Sequence, residues 1–391
     1  MTSFLPNALG ALLGIFLALF AVTRLAGYIP TFWNEPPAED ARPSLERVLP
    51  PDMVSYIKEG IPDALLLGLT EKDAPPPEDA LVTEDSLPPQ KTAEKSEEKK
   101  PVPFAPTPLP ATELNTLARN ATVNIFCTLN GGIDALSGSG VFIDPRGIIL
   151  TNAHIAQYFL LDTRDSREFI TCNIRTGSPA ERAYAGELLY LPSEWIEAHA
   201  EDIGESDRAD TGEHDYALVR AVPPEGTATS SFPSLVPAYG GDGAERGEPV
   251  LIASYPAGFL DSETIYKNLW QVSTITAVRE IYSFSSSTLG YIEVFSVPGV
   301  IGAQEGSSGG AAVRASDGML LGLIVTRSKG ETTGERNLFS LTIPYINADI
   351  AKDLEKSLEE FLASDIDGYQ DWFNASVRPR LKERLLGALG S

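Results

Sequence analysis

Between about Thr112 and Pro344 the chain is a succession of short β-branched and aromatic runs, and this texture restricts its fold more than any other feature. The runs are "ATVNIFCTL", "GSGVFIDPRGIILTNAHIA", "REFITCNIRTG", "EPVLIASYPAG", "LWQVSTITAV", "GYIEVFSV" and "GMLLGLIVTRS", with Gly, Pro, Asp and Asn between them. Many short strands separated by turn residues give an all-β barrel or sandwich. "IDPRG" lies between two apolar runs and reads as a hairpin turn, with Pro and Gly in favoured positions. Beyond Pro344 the period changes. Ile346, Ile350, Leu354, Leu358 and Leu362 form a helical stripe, so residues 346–391 are expected as a helical tail.

The N-terminal part has a different composition. Phe4–Val22 is apolar and uncharged, and a bilayer needs about 20 such residues, so residues 4–28 are expected to be a transmembrane anchor. No basic side chain precedes the stretch and no small-x-small site follows it, which argues against a cleaved signal. Residues 31–110 are rich in Pro, Glu, Asp and Lys and are expected to be a disordered linker. One apolar island within it, Pro51–Thr70, has the pattern of a short helix. The formal net charge of −24 argues against nucleic acid or anionic membrane surfaces as main partners. Cys127 and Cys172 are too few for a disulfide scaffold. In an oxidising compartment they could form one bridge; two buried free thiols fit the sequence equally.

The chain has three histidines, so the search for a catalytic base is short. His154 ends the apolar run "ILTNAHIA", His214 precedes Asp215 in "GEHDYALVRA", and His199 lies in an acidic loop, where it reads as a solvated side chain. The stretch "AQEGSSGGAAV" sets Ser307 and Ser308 in a glycine frame. A serine hydroxyl becomes a nucleophile only when a base takes its proton and a carboxylate orients that base. Glycines beside it let the chain aim backbone N–H groups at an oxyanion. "GSSGG" also fits the G-x-S-x-G elbow of the α/β-hydrolases. That scheme places the histidine after the serine, and none follows Ser308. The order available is His154, Asp215, Ser308, the order of the chymotrypsin type.

With those motifs in that order, residues 112–345 resemble a trypsin/chymotrypsin-like serine peptidase, closest to the bacterial HtrA-type branch. "SGSGVFIDPRGIILTNAHIA" resembles the segment around the family's catalytic histidine, and "HDYALVRA" the strand opened by its aspartate. "YPAG", "LWQVSTITAV" and "EGSSGGAAVRASDGMLLGLIV" resemble the stretch through the serine. The resemblance implies a two-barrel fold over residues 111–345 and a triad of His154, Asp215 and Ser308. It places the oxyanion hole at the N–H groups of Gly306 and Ser308. Ser307 falls where the family usually carries Asp or Asn. The remainder after Pro344 is too short for a PDZ domain. Gly302 stands where trypsin-like enzymes hold the charge that reads basic side chains, and Thr326 and Arg327 are candidates for the pocket wall.

The chain is therefore expected to be a membrane-anchored serine endopeptidase acting on proteins or peptides outside the cytoplasm, with no metal or cofactor. Arg24 on the C-terminal side of the span would alone favour the opposite orientation. The alternative reading is a catalytically silent peptide-binding module on the same fold.

Overall fold

The computed structural model describes residues 109–389, apart from 130–133, 163–169, 204–210, 228–230, 242, 285–291, 301–303 and 328–336. The expected membrane span, the linker to residue 108 and the island at 51–70 lie outside the described residues. Among the described residues no helix is long and apolar enough to cross a membrane.

Six strands close a barrel in the order β1-β2-β3-β6-β5-β4. They are β1 Thr122–Leu129, β2 Asp134–Asp144, β3 Ile148–Thr151, β4 Ile170–Thr176, β5 Glu181–Tyr190 and β6 Ala217–Val222. The hairpin turn expected at "IDPRG" joins β2 to β3, and Gly147 takes the positive φ of 90° there. Seven further strands form a second sheet in the order β8-β7-β11-β12-β13-β10-β9. These are β7 Pro249–Ser254, β8 Val272–Ala277, β9 Glu280–Tyr282, β10 Val294–Pro298, β11 Ala311–Arg314, β12 Leu320–Arg327 and β13 Asn337–Thr342. The two-barrel expectation is thus met as one closed barrel and one half-barrel sheet.

β3 shows why both halves hold together. Ile148, Ile149 and Leu150 are all fully buried, so both faces of the strand are covered. Ile149 joins the barrel interior with Val123, Ile125, Phe142, Ile174 and Val219. Ile148 and Leu150 face the other way, into a core shared with Leu251, Ala311, Leu323 and Leu341 of the second sheet. Burial of each such side chain stabilises by roughly 2 kcal/mol, so this seam is a strong one, and the serine turn lies along it. Cys127 and Cys172 stand directly opposite each other in the β1–β4 register and are disulfide-bonded, with Cα atoms 4.0 Å apart.

Two helical regions depart from the sequence reading. Helix α1, Ala111–Ala121, precedes β1 and buries Leu114, Ala118 and Ala121, where the sequence suggested only β texture. The helical stripe after Pro344 is not one helix. The short turn α2 (Ala153–Ala156), α3 (Ser193–His199) and α4 (Ser262–Lys267) come between the strands. α5 then covers Ile343–Leu354 and stops where Glu355 turns left-handed at φ 53°. α6, Leu358–Leu362, restarts on a capping box between Ser357 and Glu360. Phe373, Leu381 and Leu385 of the final helices are buried in the same core as the barrel interior.

Candidate active site

β3 and β6 pair antiparallel, with Thr151 opposite Ala217. That register alone sets the residues just after β3 beside those just before β6. Asn152 and the turn α2 follow β3, and Asn152 Nδ2 donates to the Asp215 carbonyl at 2.8 Å. His154 then meets Asp215 twice: its backbone N–H donates to Oδ1 at 2.9 Å, and Nδ1 lies 2.7 Å from Oδ2. Asp215 is buried, at 3% exposure, while the His154 side chain keeps 24%. A carboxylate at Nδ1 makes that nitrogen the donor, which leaves Nε2 of the neutral ring as an acceptor. The partly exposed ring is thereby prepared to accept a proton.

The serine turn, Gln304–Gly310, is pinned from both halves. Ser139 N–H on β2 donates to the Ser308 carbonyl at 2.7 Å, and Gly309 N–H donates to the Ile324 carbonyl on β12 at 2.8 Å. Ser139 Oγ donates to the Gly306 carbonyl at 2.7 Å and accepts from Tyr255 N–H at 2.9 Å. Gly309 must be glycine: φ is 84°, and a Cβ would stand 2.0 Å from the Ser139 carbonyl oxygen and 2.6 Å from Thr151 Oγ1. Gly306 takes φ 86° against the Tyr255 carbonyl. Among the described residues the N–H groups of Gly306 and Ser308 donate to no acceptor. Ser307 is fully buried, and its Oγ has no partner among the described residues.

The structure joins His154 to Asp215 and holds Ser308 in the turn, but it does not close the hydrogen-bonded chain. Ser308 Oγ lies 3.4 Å from the Val325 carbonyl, and no hydrogen bond joins it to His154 among the described residues. Thr326 and Arg327 follow Val325 in β12; Gly302 lies outside the described residues. His199 is not the solvated side chain expected. Its ring packs on Trp195 at 5.0 Å between centroids, with Asp202 at 3.3 Å.

Three contributors escape sequence reasoning: Ser139, Asn152 and a cluster around His214. Ser139 sits between glycines in "SGSG", and that is its only sequence signal. His214 Nδ1 lies 2.6 Å from Asp349 Oδ2 on α5. The hydrogen bond to Asp349 raises the His214 pKa above its ordinary value, and burial opposes it only in part. Burial raises the Asp349 carboxyl, but hydrogen bonds from His214 and Lys352 outweigh it, so that the net shift is downward.

Comparison with known proteins adds the following. Residues 138–323 match the model of the trypsin-like peptidase domain, a span that contains His154, Asp215 and Ser308. No curated protein matches the chain. Among solved structures, the Rv3671c protease from M. tuberculosis in its active form is similar at 19% identity and a TM-score of 0.38, over 66% of this chain and 94% of that one. With its trypsin-like peptidase domain over residues 138–323, the chain is a serine peptidase, a hydrolase.

Proposed function

We propose that the chain is a membrane-anchored serine endopeptidase of the HtrA-type branch, and that Ser308, His154 and Asp215 carry the reaction. The observation that carries the reading is the double hydrogen bond between His154 and the buried Asp215. Ser308 Oγ turns from the Val325 carbonyl to His154 Nε2 and attacks the scissile carbonyl carbon as its proton passes to that nitrogen. Asp215 holds the imidazole and stabilises its charge. The N–H groups of Gly306 and Ser308 receive the oxyanion. The C–N bond breaks as His154 returns the proton to the leaving amine, and water then releases the acyl group by the same route in reverse.

The remaining parts of the reading rest on composition and chain order. Residues 4–28 anchor the protein, 31–110 tether it, 111–345 form the peptidase and 346–391 extend it, with the peptidase outside the cytoplasm. The substrate side chain enters beside Gly302, Thr326 and Arg327. The backbone supports the last two, because they follow the Val325 carbonyl that faces Ser308 Oγ. With no charge at Gly302, small or medium apolar side chains are favoured over Lys or Arg.

A second reading, a silent peptide-binding module, draws on one observation: Ser308 Oγ faces Val325 and not His154. Labelling of the full chain by a serine-reactive phosphonate decides between the two. The peptidase reading expects labelling and peptide turnover that both vanish in Ser308→Ala. A wild-type chain that neither takes the label nor cleaves a peptide library would establish the silent module.

A further inference from the structure

The residue before Asp215 is strained. His214 holds φ 58°, in the left-handed region. This conformation is unfavourable for a residue with a side chain and persists only where the surroundings impose it. Two helices impose it. His214 N–H donates to Tyr345 Oη at 3.1 Å, and its Nδ1 lies 2.6 Å from Asp349 Oδ2; both partners are on α5. From α3, Glu194 Oε2 lies 3.1 Å from Nε2.

Asp349 also reaches the other side of Asp215. Its Oδ2 accepts from the Tyr216 hydroxyl at 3.0 Å. Its Oδ1 accepts from Lys352 Nζ at 2.7 Å, within its own helix. One carboxylate, its side chain 3% exposed, therefore grips both chain neighbours of Asp215. A buried ion pair is weak evidence for stability, since apolar residues of similar volume often serve as well. Its partners here are the two residues that fix where the Asp215 backbone runs, and Asp215 in turn spends both carboxylate oxygens on His154.

We propose that Asp349 is a positioning residue: through His214 and Tyr216 it fixes the backbone on either side of Asp215, and so sets the place of the His154 ring. The inference rests on the reading of His154, Asp215 and Ser308 given above. Displacing a reacting group by about 1 Å can cost on the order of 100-fold in rate, so a clamp of this kind acts on kcat more than on KM.

The charge state of His214 belongs to the device. Both ring nitrogens face carboxylates, Asp349 and Glu194, with Glu213 at 3.9 Å, and only the imidazolium donates to both. Lys352 balances the far oxygen of Asp349. The phenols of Tyr216, Tyr190 and Tyr345 are pushed up by burial and stay neutral across the working range. Deprotonation of His214 removes its bond to Glu194 and weakens the grip of Asp349.

The test uses the full chain. Competent sites are titrated with the serine-reactive phosphonate, and kcat per titrated site and KM on an unstructured peptide are measured across pH for wild type, Asp349→Asn, His214→Asn and Tyr216→Phe. Asparagine tolerates the left-handed region, so His214→Asn removes the ion pair without adding strain. Asp349→Asn is expected to lower kcat per site on the order of 10-fold or more, with KM within about threefold. Tyr216→Phe should lower it less. Wild-type kcat should decline on the alkaline side as His214 loses its proton, and His214→Asn should show no such limb. If Asp349→Asn does not fold, the other two variants carry the comparison. Unchanged kcat per site in the variants that fold, even with lower unfolding midpoints, would overturn the proposal and leave a purely structural clamp. A rise in KM with kcat unchanged would overturn it too. A wild-type chain that takes no label overturns the reading of the site itself, and this inference with it.

Discussion

Two serines near the candidate site make opposite demands on the fold, and replacing each with alanine tests the hydrogen-bond accounting. Ser139 and Ser307 are both fully buried. Ser139 Oγ serves two buried groups, the Gly306 carbonyl at 2.7 Å and Tyr255 N–H at 2.9 Å, whereas Ser307 Oγ serves none among the described residues. The chemical change is the same in both variants, so the difference between them isolates the bonds. Ser139→Ala leaves a buried donor and a buried acceptor unpaired, at about 1–3 kcal/mol each, and is expected to destabilise by about 3 kcal/mol. Ser307→Ala removes a hydroxyl that was desolvated without return, so stability should hold or rise by up to about 1 kcal/mol. Activity should follow the same split. Ser139 ties down the Gly306 carbonyl, and loosening the proposed oxyanion hole there should lower kcat on the order of 10-fold, while Ser307→Ala keeps most activity. Urea unfolding with linear extrapolation and peptide turnover measure both. The reasoning fails if Ser139→Ala stays within about 0.5 kcal/mol of wild type, or if Ser307→Ala is the more costly change.

Two further predictions follow from bonds within and beside the barrel. The Cys127–Cys172 bridge closes a sequence separation of 45 residues, which the chain-entropy model values at about 4 kcal/mol. Reductant should lower the unfolding midpoint accordingly, and two alkyl adducts on unfolded, unreduced protein would show that no bridge exists. The His214–Asp349 pair predicts a window of stability against pH. A raised His214 contributes fully below about pH 6.5 and is lost as pH rises through its folded value, whereas a lowered Asp349 contributes fully above about pH 4 and is lost as pH falls through its folded value. Asp349→Asn should flatten the unfolding free energy on both sides of that window, and equal pH slopes in the two proteins would contradict the pairing.

Much of this architecture is legible in the sequence because strands advertise themselves locally. "GIILTNAHIA" is a run of β-branched residues after a turn, and β3 lies there. Helix α1 went unread although Leu114, Leu117, Ala118 and Ala121 have helical spacing, because the β runs that follow dominate that stretch. The break after Leu354 was not visible in the apolar stripe, because Glu355 leaves the helix through its backbone and the stripe continues in register across α6. The pocket wall was least legible, since the relevant side chains are defined by what comes near them in space and not by any local pattern.

The order His154, Asp215, Ser308 was readable, but what holds the three in place was not. His154 and Asp215 are 61 residues apart, and the β3–β6 register brings them together. The serine turn depends on Ser139, which reaches across 167 residues to Gly306. Asp349 reaches 135 residues back to His214. Supports of this kind have no preferred spacing, because any strand or helix that arrives at the right place can supply a hydroxyl or a carboxylate. Backbone strain is the local trace they leave. Glycine at positions 306 and 309 accepts a positive φ without cost, so those positions are visible as glycines. A histidine at φ 58° looks like any other histidine in the sequence. Its strain requires partners elsewhere in the fold, and the partners found are a tyrosine and an aspartate on α5, beyond the last strand of the second sheet. Helix α5 is thereby bonded to the backbone of the candidate site.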